Sequence, residues 1–587
     1  MPDKNKKVSP VIILPGINHS PSYLCDENGN RVKDGNGKDI GGTLMIPDVA
    51  SFKKELPALA RSLARSVATH TEGDIYEKAY SCAMALTSIQ RCDCEGNHIN
   101  NLVTERWEYP ISEMDEDLKA WAYRMVPMQA LTDEIGEENL FFFTFNLVGD
   151  PMISADELKD YIEKVKARTG AEKVTLLPVS LGGTILTAYL EKYGSEGIDR
   201  IVNTVACLDG TEIVSDIFAR RFNISERYLR HEFIPSLFKE ETGSGTVGYT
   251  VNILLHALPR RGFYALISGF MSGLIDGVMI CCPQIWAMLP AKRYDDLCVK
   301  YLCGRKTAAL KERTDAFQFA RLHLKKNLLK AAENGVKIDF ISGSGLDFGD
   351  VEYCIFGAVK SKDKFNTDGI IQLDSTTLGA YGVPAGGTLP DGYTQARECK
   401  SHPGYSYISP DRRVDVSTAL MPDNTWIFLN QHHEVGNNSA VLNLAKCIIT
   451  GEVSDVHSDP VNHPQFNFAE NTYHLRRWKL GDGKRALDEI AGGEIKTAPS
   501  IRKELENAVA KGEEILGGTV ADAYAAAKAR KDIERILVRL GKASPEKQQC
   551  LIGALAEKFT QCVSEALVNF PGSKSNYYIY ANGRKKK

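Results

Sequence analysis

No surplus of positive charge marks this chain as a nucleic-acid binder. Lys and Arg number 71 against 75 Asp and Glu, a net charge of −4, whereas such domains carry a clear basic patch. The terminal run Lys585–Lys587 is short and reads as a solvated tail. Cysteine is sparse too. Fourteen in 587 residues are too dilute for a disulfide scaffold, and no CxxC pair suggests zinc. Cys92-Asp93-Cys94 is a close pair with no second pair nearby, so it reads as surface thiols, and the redox compartment is left open. Met1–Lys7 is charged and lacks the apolar core of a signal peptide, so an export signal is expected to be absent or removed. What is there describes a soluble globular protein: 43% hydrophobic and 25% charged residues, with length for a large core and more than one domain.

The stretch Lys173–Tyr193 organises the rest. Val174 to Val179 is a β-branched and apolar run of the kind that fills a strand buried on both faces. It turns directly into Ser180-Leu181-Gly182-Gly183, and apolar residues then recur at helical spacing (Ile185, Ala188, Tyr189) up to Gly194. Strand, sharp turn and helix with a serine at the bend is the layout of a nucleophile elbow, which aims the Leu181 N–H at an oxyanion. The expected G-x-S-x-G reads Pro178-Val179-Ser180-Leu181-Gly182, with proline replacing the first glycine. A serine between strand and helix is otherwise an N-cap.

The flanks extend the pattern. Val11–Leu14 is an apolar strand running into Pro15-Gly16-Ile17-Asn18-His19-Ser20, where a hydrolase of this layout takes its second oxyanion N–H, here from Ile17. Asp26–Asp39 has calcium-like spacing at Asp26, Asn28 and Asn30, but Gly37 occupies the position that needs a bidentate Glu, so a hairpin with Asn-Gly turns is expected. Residues 50–135 read as helical. Leu140–Phe145 is a buried strand, followed by a helix with a capping box at Ser154–Glu157 that ends at Gly170. Arg200–Leu208 is another strand. Strands and helices in this alternation imply a doubly wound, mostly parallel sheet.

These segments together resemble the core of the lecithin–cholesterol acyltransferase-like lipase and esterase branch of the α/β-hydrolases. The resemblance is carried by ADELKDYIEKVKARTGAEKVTLLPVSLGGTILTAYLEKYG and RIVNTVACLDGT. Val11–Ser20 is similar to the family's opening strand and oxyanion loop, and Cys282–Pro290 to its lid segment. Val336–Gly345 is similar to a later core strand, and Asn366–Ser375 to the loop carrying the acid. The resemblance implies Ser180 as nucleophile and Asp368, just before an expected strand Ile370–Leu373, as acid, with Asp347 the rival. The base is expected in Gln431-His432-His433-Glu434, after the final strand Trp426–Leu429 and before a helix Ala440–Ile449. His433 is favoured because the family's base often precedes an acidic or polar residue, with His432 the alternative. Two adjacent histidines also suit a metal, but no third ligand accompanies them at helical spacing.

Residues 212–330 read as a helical insertion. Its run Phe263–Leu289 is long enough to raise the question of a membrane span, but Asp276 and Gln284 interrupt it. The expectation is a lid over an apolar pocket lined by Phe263, Met271 and Trp286, with a packed core helix as the plainer alternative. Residues 456–495 are expected to be a linker or edge segment. Residues 496–570 read as a three-helix bundle, with Leu505, Ala508 and Ile515 on one stripe and further runs at Ile533–Leu540 and Leu551–Leu567. That bundle is similar to FIVAR-type modules of bacterial cell-envelope proteins, which favours the envelope or secretion over the cytoplasm and leaves room for contact with a membrane surface. The whole reads as an α/β-hydrolase domain (8–455) that cleaves esters of lipid-like substrates without cofactor or metal. An acyltransferase or a non-catalytic binding protein on the same fold are the alternatives.

Overall fold

The computed structural model describes residues 8–35, 37–226, 229, 255–348, 359–360, 363–468, 480–517, 523–541 and 576–579. Seven strands build its central sheet: β1 (Val11–Leu14), β2 (Leu140–Phe142), β3 (Val174–Pro178), β4 (Ile198–Thr204), β5 (Lys337–Ser344), β6 (Thr425–Leu429) and β7 (Phe466–Phe468). They lie in the order β2-β1-β3-β4-β5-β6-β7, and every pairing is parallel. Parallel strands need crossovers that cover both faces, which is why β1, β2, β3 and β6 are buried at every residue rather than on alternate ones. In β1, Ile12 and Leu14 face one apolar layer while Val11 and Ile13 face the other.

The first layer holds the helices α3 (Pro151–Thr169), α4 (Gly182–Tyr193) and α8 (Ala308–Glu333); the second holds α9 (Ser439–Thr450). Helix α3 starts earlier than the capping-box reading allows. Asp150 caps it by accepting the Met152 N–H, Pro151 takes the first turn, and Ser154 is buried inside the helix. Proline at the first helical position and an acidic cap outcompete a serine four residues on.

A cap stands on the sheet, built from α1 (Val49–Thr69), α2 (Ile75–Leu86), α5 (Glu212–Ala219), α6 (Arg260–Leu274) and α7 (Ala291–Tyr301). The backbone of α6 presses on α2 so closely that a Cβ at Gly269 would come 2.2 Å from Tyr76 O. The stretch Arg260–Met279 is long and apolar enough to cross a membrane, with a mean hydropathy of 1.3, yet half of it is buried within the protein. Helix α8, expected within the insertion, packs instead against α4 in the sheet's own layer. The 456–495 stretch supplies the edge strand β7, so β6 is not the last strand of the sheet. The helical module also begins earlier than expected. Helices α10 (Leu480–Ala491), α11 (Pro499–Gly517) and α12 (Ala523–Arg539) share a core of Leu480, Leu505, Val509, Ile533 and Ile536. The expected run Leu551–Leu567 lies outside the described residues.

Candidate active site

Strand order reverses between β1 and β3, and crevices of open α/β sheets form at the carboxyl ends of strands beside such a reversal. Ser180 stands there, two residues past the end of β3. Its φ of 52° lies in the left-handed region, which costs a non-glycine residue about 1–2 kcal/mol. The turn is held in place by Val179 N–H to Leu14 O at 2.9 Å, Cys207 N–H to Ser180 O at 2.7 Å and Gly183 N–H to Ser180 O at 3.0 Å. Helix α4 is drawn so near β1 that a Cβ on Gly182 would sit 2.1 Å from Leu14 O, so only glycine fits. Pro178 is accommodated because it ends the strand.

The loop after β1 passes directly over the serine. A Cβ on Gly16 would approach Ser180 Cβ to 3.0 Å and Oγ to 3.5 Å. Neither the Ile17 nor the Leu181 N–H finds an acceptor among the described residues.

Three of the expected residues are brought together. His433 Nε2 is 2.8 Å from Ser180 Oγ, and its Nδ1 is 2.7 Å from Asp368 Oδ2. The two loops are also tied through the main chain, with His433 N–H donating to Asp368 O at 2.8 Å. Asp368 is fully buried, and its other oxygen accepts the N–H groups of Ile370 and Ile371 at 3.0 and 2.8 Å. That wrap explains why Ile370–Leu373 is not the expected strand: its amides turn inward onto the carboxylate, and a short helix starts at Leu373. Burial alone would lower the His433 pKa, but the charge and hydrogen bond of Asp368, helped by Glu434, outweigh it and leave it raised.

His432 is buried and points elsewhere, its Nδ1 accepting the Glu434 N–H at 3.1 Å. Asp347 accepts its neighbour Phe348 N–H at 2.9 Å, and the partner of the His433 imidazole is Asp368. Phe263, Met271 and Trp286 are buried in the cap's apolar interior. Trp286 packs edge-on against Phe218 and Tyr294 and donates to Ile280 O. Their burial fits the alternative of a packed core helix, since a long apolar run looks alike whether it packs against protein or faces a pocket. Nor is Cys282–Pro290 a loose lid. Gln284 is fully buried, donates to Thr184 on α4, and takes the Gly149 carbonyl through its main chain, while Arg321 holds the carbonyls of Ala287 and Leu289. Cys92 is a buried thiol rather than a surface one, and burial pushes its pKa up to about 12.

One further side chain belongs to the site. His19 Nδ1 lies 3.6 Å from where a Gly16 Cβ would be, buried and with no hydrogen-bond partner among the described residues. Burial, then the charge of a protonated His433, lowers its pKa to about 4, so it is neutral at physiological pH. Its position five residues past β1, inside the oxyanion-loop motif, was the available signal.

No family model and no curated protein matches the chain. Among solved structures, a chain of "The crystal structure of Tle4-Tli4 complex" aligns over 57% of this chain and 75% of its own length, at 10% identity and a TM-score of 0.22. A likeness of that degree carries no argument.

Proposed function

We propose that the chain is a serine hydrolase of α/β-hydrolase type that cleaves carboxylic esters of apolar substrates. The observation that carries this reading is the Ser180–His433–Asp368 array, with serine and aspartate on opposite nitrogens of one imidazole. In this reading Ser180 Oγ attacks the ester carbonyl as His433 Nε2 takes its proton. Asp368 holds Nδ1–H toward itself, so Nε2 is the basic nitrogen, and it stabilises the imidazolium that forms. The N–H groups of Leu181 and Ile17 meet the oxyanion. His433 then protonates the departing alkoxide, and the acyl-enzyme is resolved by water through the same base. Neutral His19 is a hydrogen-bond partner for the bound ester.

The apolar substrate class rests on the resemblance of 8–450 to the lecithin–cholesterol acyltransferase-like branch. An acceptor alcohol in place of water would make the same array an acyltransferase. Turnover of p-nitrophenyl esters of graded chain length, with and without acceptor alcohols, tests the proposal. We expect release of p-nitrophenol, faster with longer chains. No release under conditions where a control esterase turns over would leave a binding protein on this fold.

A further inference from the structure

Between the acid loop and β6 the chain makes a long excursion that the proposed chemistry does not use. From Val383 to Arg413 it forms no helix or strand apart from an isolated bridge at Ile408. Structureless stretches beyond about 12–15 residues are uncommon in a compact domain. The apolar cluster beneath this one is small, made chiefly of Cys399, Tyr407, Val414, Val416 and Ala419 against β6.

Cys399, His402 and His457 each place one ligand atom within 4.8 Å of the other two. Cys399 Sγ is 3.5 Å from His457 Nε2, and both reach Asp423 Oδ1, at 3.5 and 3.0 Å. A tetrahedral zinc site with bonds of about 2.0–2.3 Å sets its ligand atoms about 3.3–3.8 Å apart, close to these spacings. The His402 and His457 rings lie face to face, 3.9 Å between centroids. Cys399 is buried and His402 is at the surface, which gives the site a dry side and an entry path.

Without a cation the hydrogen bonding is overcrowded. The Cys399 thiol, the His457 N–H and the Tyr407 hydroxyl all converge on Asp423 Oδ1. An oxygen with two lone pairs cannot serve three donors well. Ser401 Oγ adds contacts to Cys399 Sγ at 3.2 Å and Asp423 Oδ2 at 3.5 Å. A bound cation removes the conflict: thiolate and imidazole turn their lone pairs to the metal, and Tyr407 is left to orient the carboxylate. One thiolate, two imidazoles and a carboxylate are a zinc donor set rather than one for calcium or magnesium.

We propose that Cys399, His402, Asp423 and His457 form a structural Zn²⁺ site. It ties the 383–413 excursion to the residues entering β6 and to the link between α9 and β7. The test strips the full-length protein with EDTA and titrates it with zinc chloride against a competing chromophoric chelator, then repeats the titration with Co²⁺. Wild type should bind one Zn²⁺ per chain, show a thiolate-to-Co²⁺ charge-transfer band, and gain thermal stability with zinc. His402→Ala, at an exposed position, should weaken affinity by more than the about 10–100-fold that loss of an outer partner costs, and lose the thermal gain. Cys399→Ser should lose the charge-transfer band. Wild type that binds no stoichiometric zinc, or a His402→Ala variant that binds it as wild type does, would overturn the proposal.

Discussion

Among the described residues two histidine–aspartate pairs stand at opposite ends of β6, and they differ in which nitrogen faces what. His433 puts Asp368 on Nδ1 and Ser180 on Nε2, so a proton arriving at one nitrogen is answered at the other. His457 meets both Asp423 Oδ1 and Cys399 Sγ at Nε2, so a nucleophile-like sulfur and a carboxylate crowd one nitrogen and no relay runs through the ring. The backbones differ as well. Ser180 sits on a left-handed turn, whereas Cys399 is absent from the positive-φ residues. Similar side chains thus make an in-line array suited to a proton relay in one place and a converging donor set in the other, and geometry rather than residue type sets the difference.

The sharpest way to break that comparison is to remove one member of each pair. His433→Ala should lower ester turnover by about 10³-fold or more, and Asp368→Asn should resemble it by favouring the wrong tautomer. His457→Ala and Asp423→Asn, assayed per folded molecule, should stay within about threefold of wild type. Comparable losses at both ends would dissolve the distinction. Next in size is Gly182→Ala, which drives a methyl into Leu14 O and should destabilise by about 3 kcal/mol or more in denaturant melts. Gly170→Ala, where the added carbon meets nothing within 4 Å but φ is positive, should cost about 1 kcal/mol.

Smaller effects separate the neighbouring histidines. His432→Ala should reduce turnover less than about tenfold, while His19→Ala should cost about 3–10-fold in kcat/KM, the worth of one hydrogen bond. The smallest signal is in the pH profile. Because the His433 pKa is raised, activity should fall on the acid side with a midpoint above the ordinary value of 6.5. The same shift stabilises the fold at low pH, fully so below the unfolded histidine's pKa, and that contribution is lost as pH rises through the folded value. An acid limb centred below 6.5 would mean that Asp368 does not support the imidazole.

Much of the site was legible because its signals are local. A buried strand, a serine turn and a glycine-led helix occupy consecutive residues at 174–193, and His433 follows the apolar run of β6, whereas Asp368 lies in a polar loop and was reached through the resemblance of Asn366–Ser375 to an acid-bearing loop. What stayed hidden depends on distant partners. The run 263–289 reads the same as lid or as core, and its burial against α2 is a tertiary fact. Strand β7 is three residues long and sits in a polar stretch, so periodicity had nothing to measure. The Cys399 cluster draws on 399–402, 423 and 457, and no spacing rule links such separated ligands.

In the proposed mechanism Ser180 is a nucleophile activated by His433. Labelling the full-length protein with a fluorophosphonate probe and mapping the adduct by peptide mass spectrometry tests it most directly. One adduct is expected, on Ser180, abolished in Ser180→Ala with little change in melting temperature and strongly slowed in His433→Ala. Wild type that resists the probe while a control esterase reacts, or an adduct carried on another residue, would contradict it.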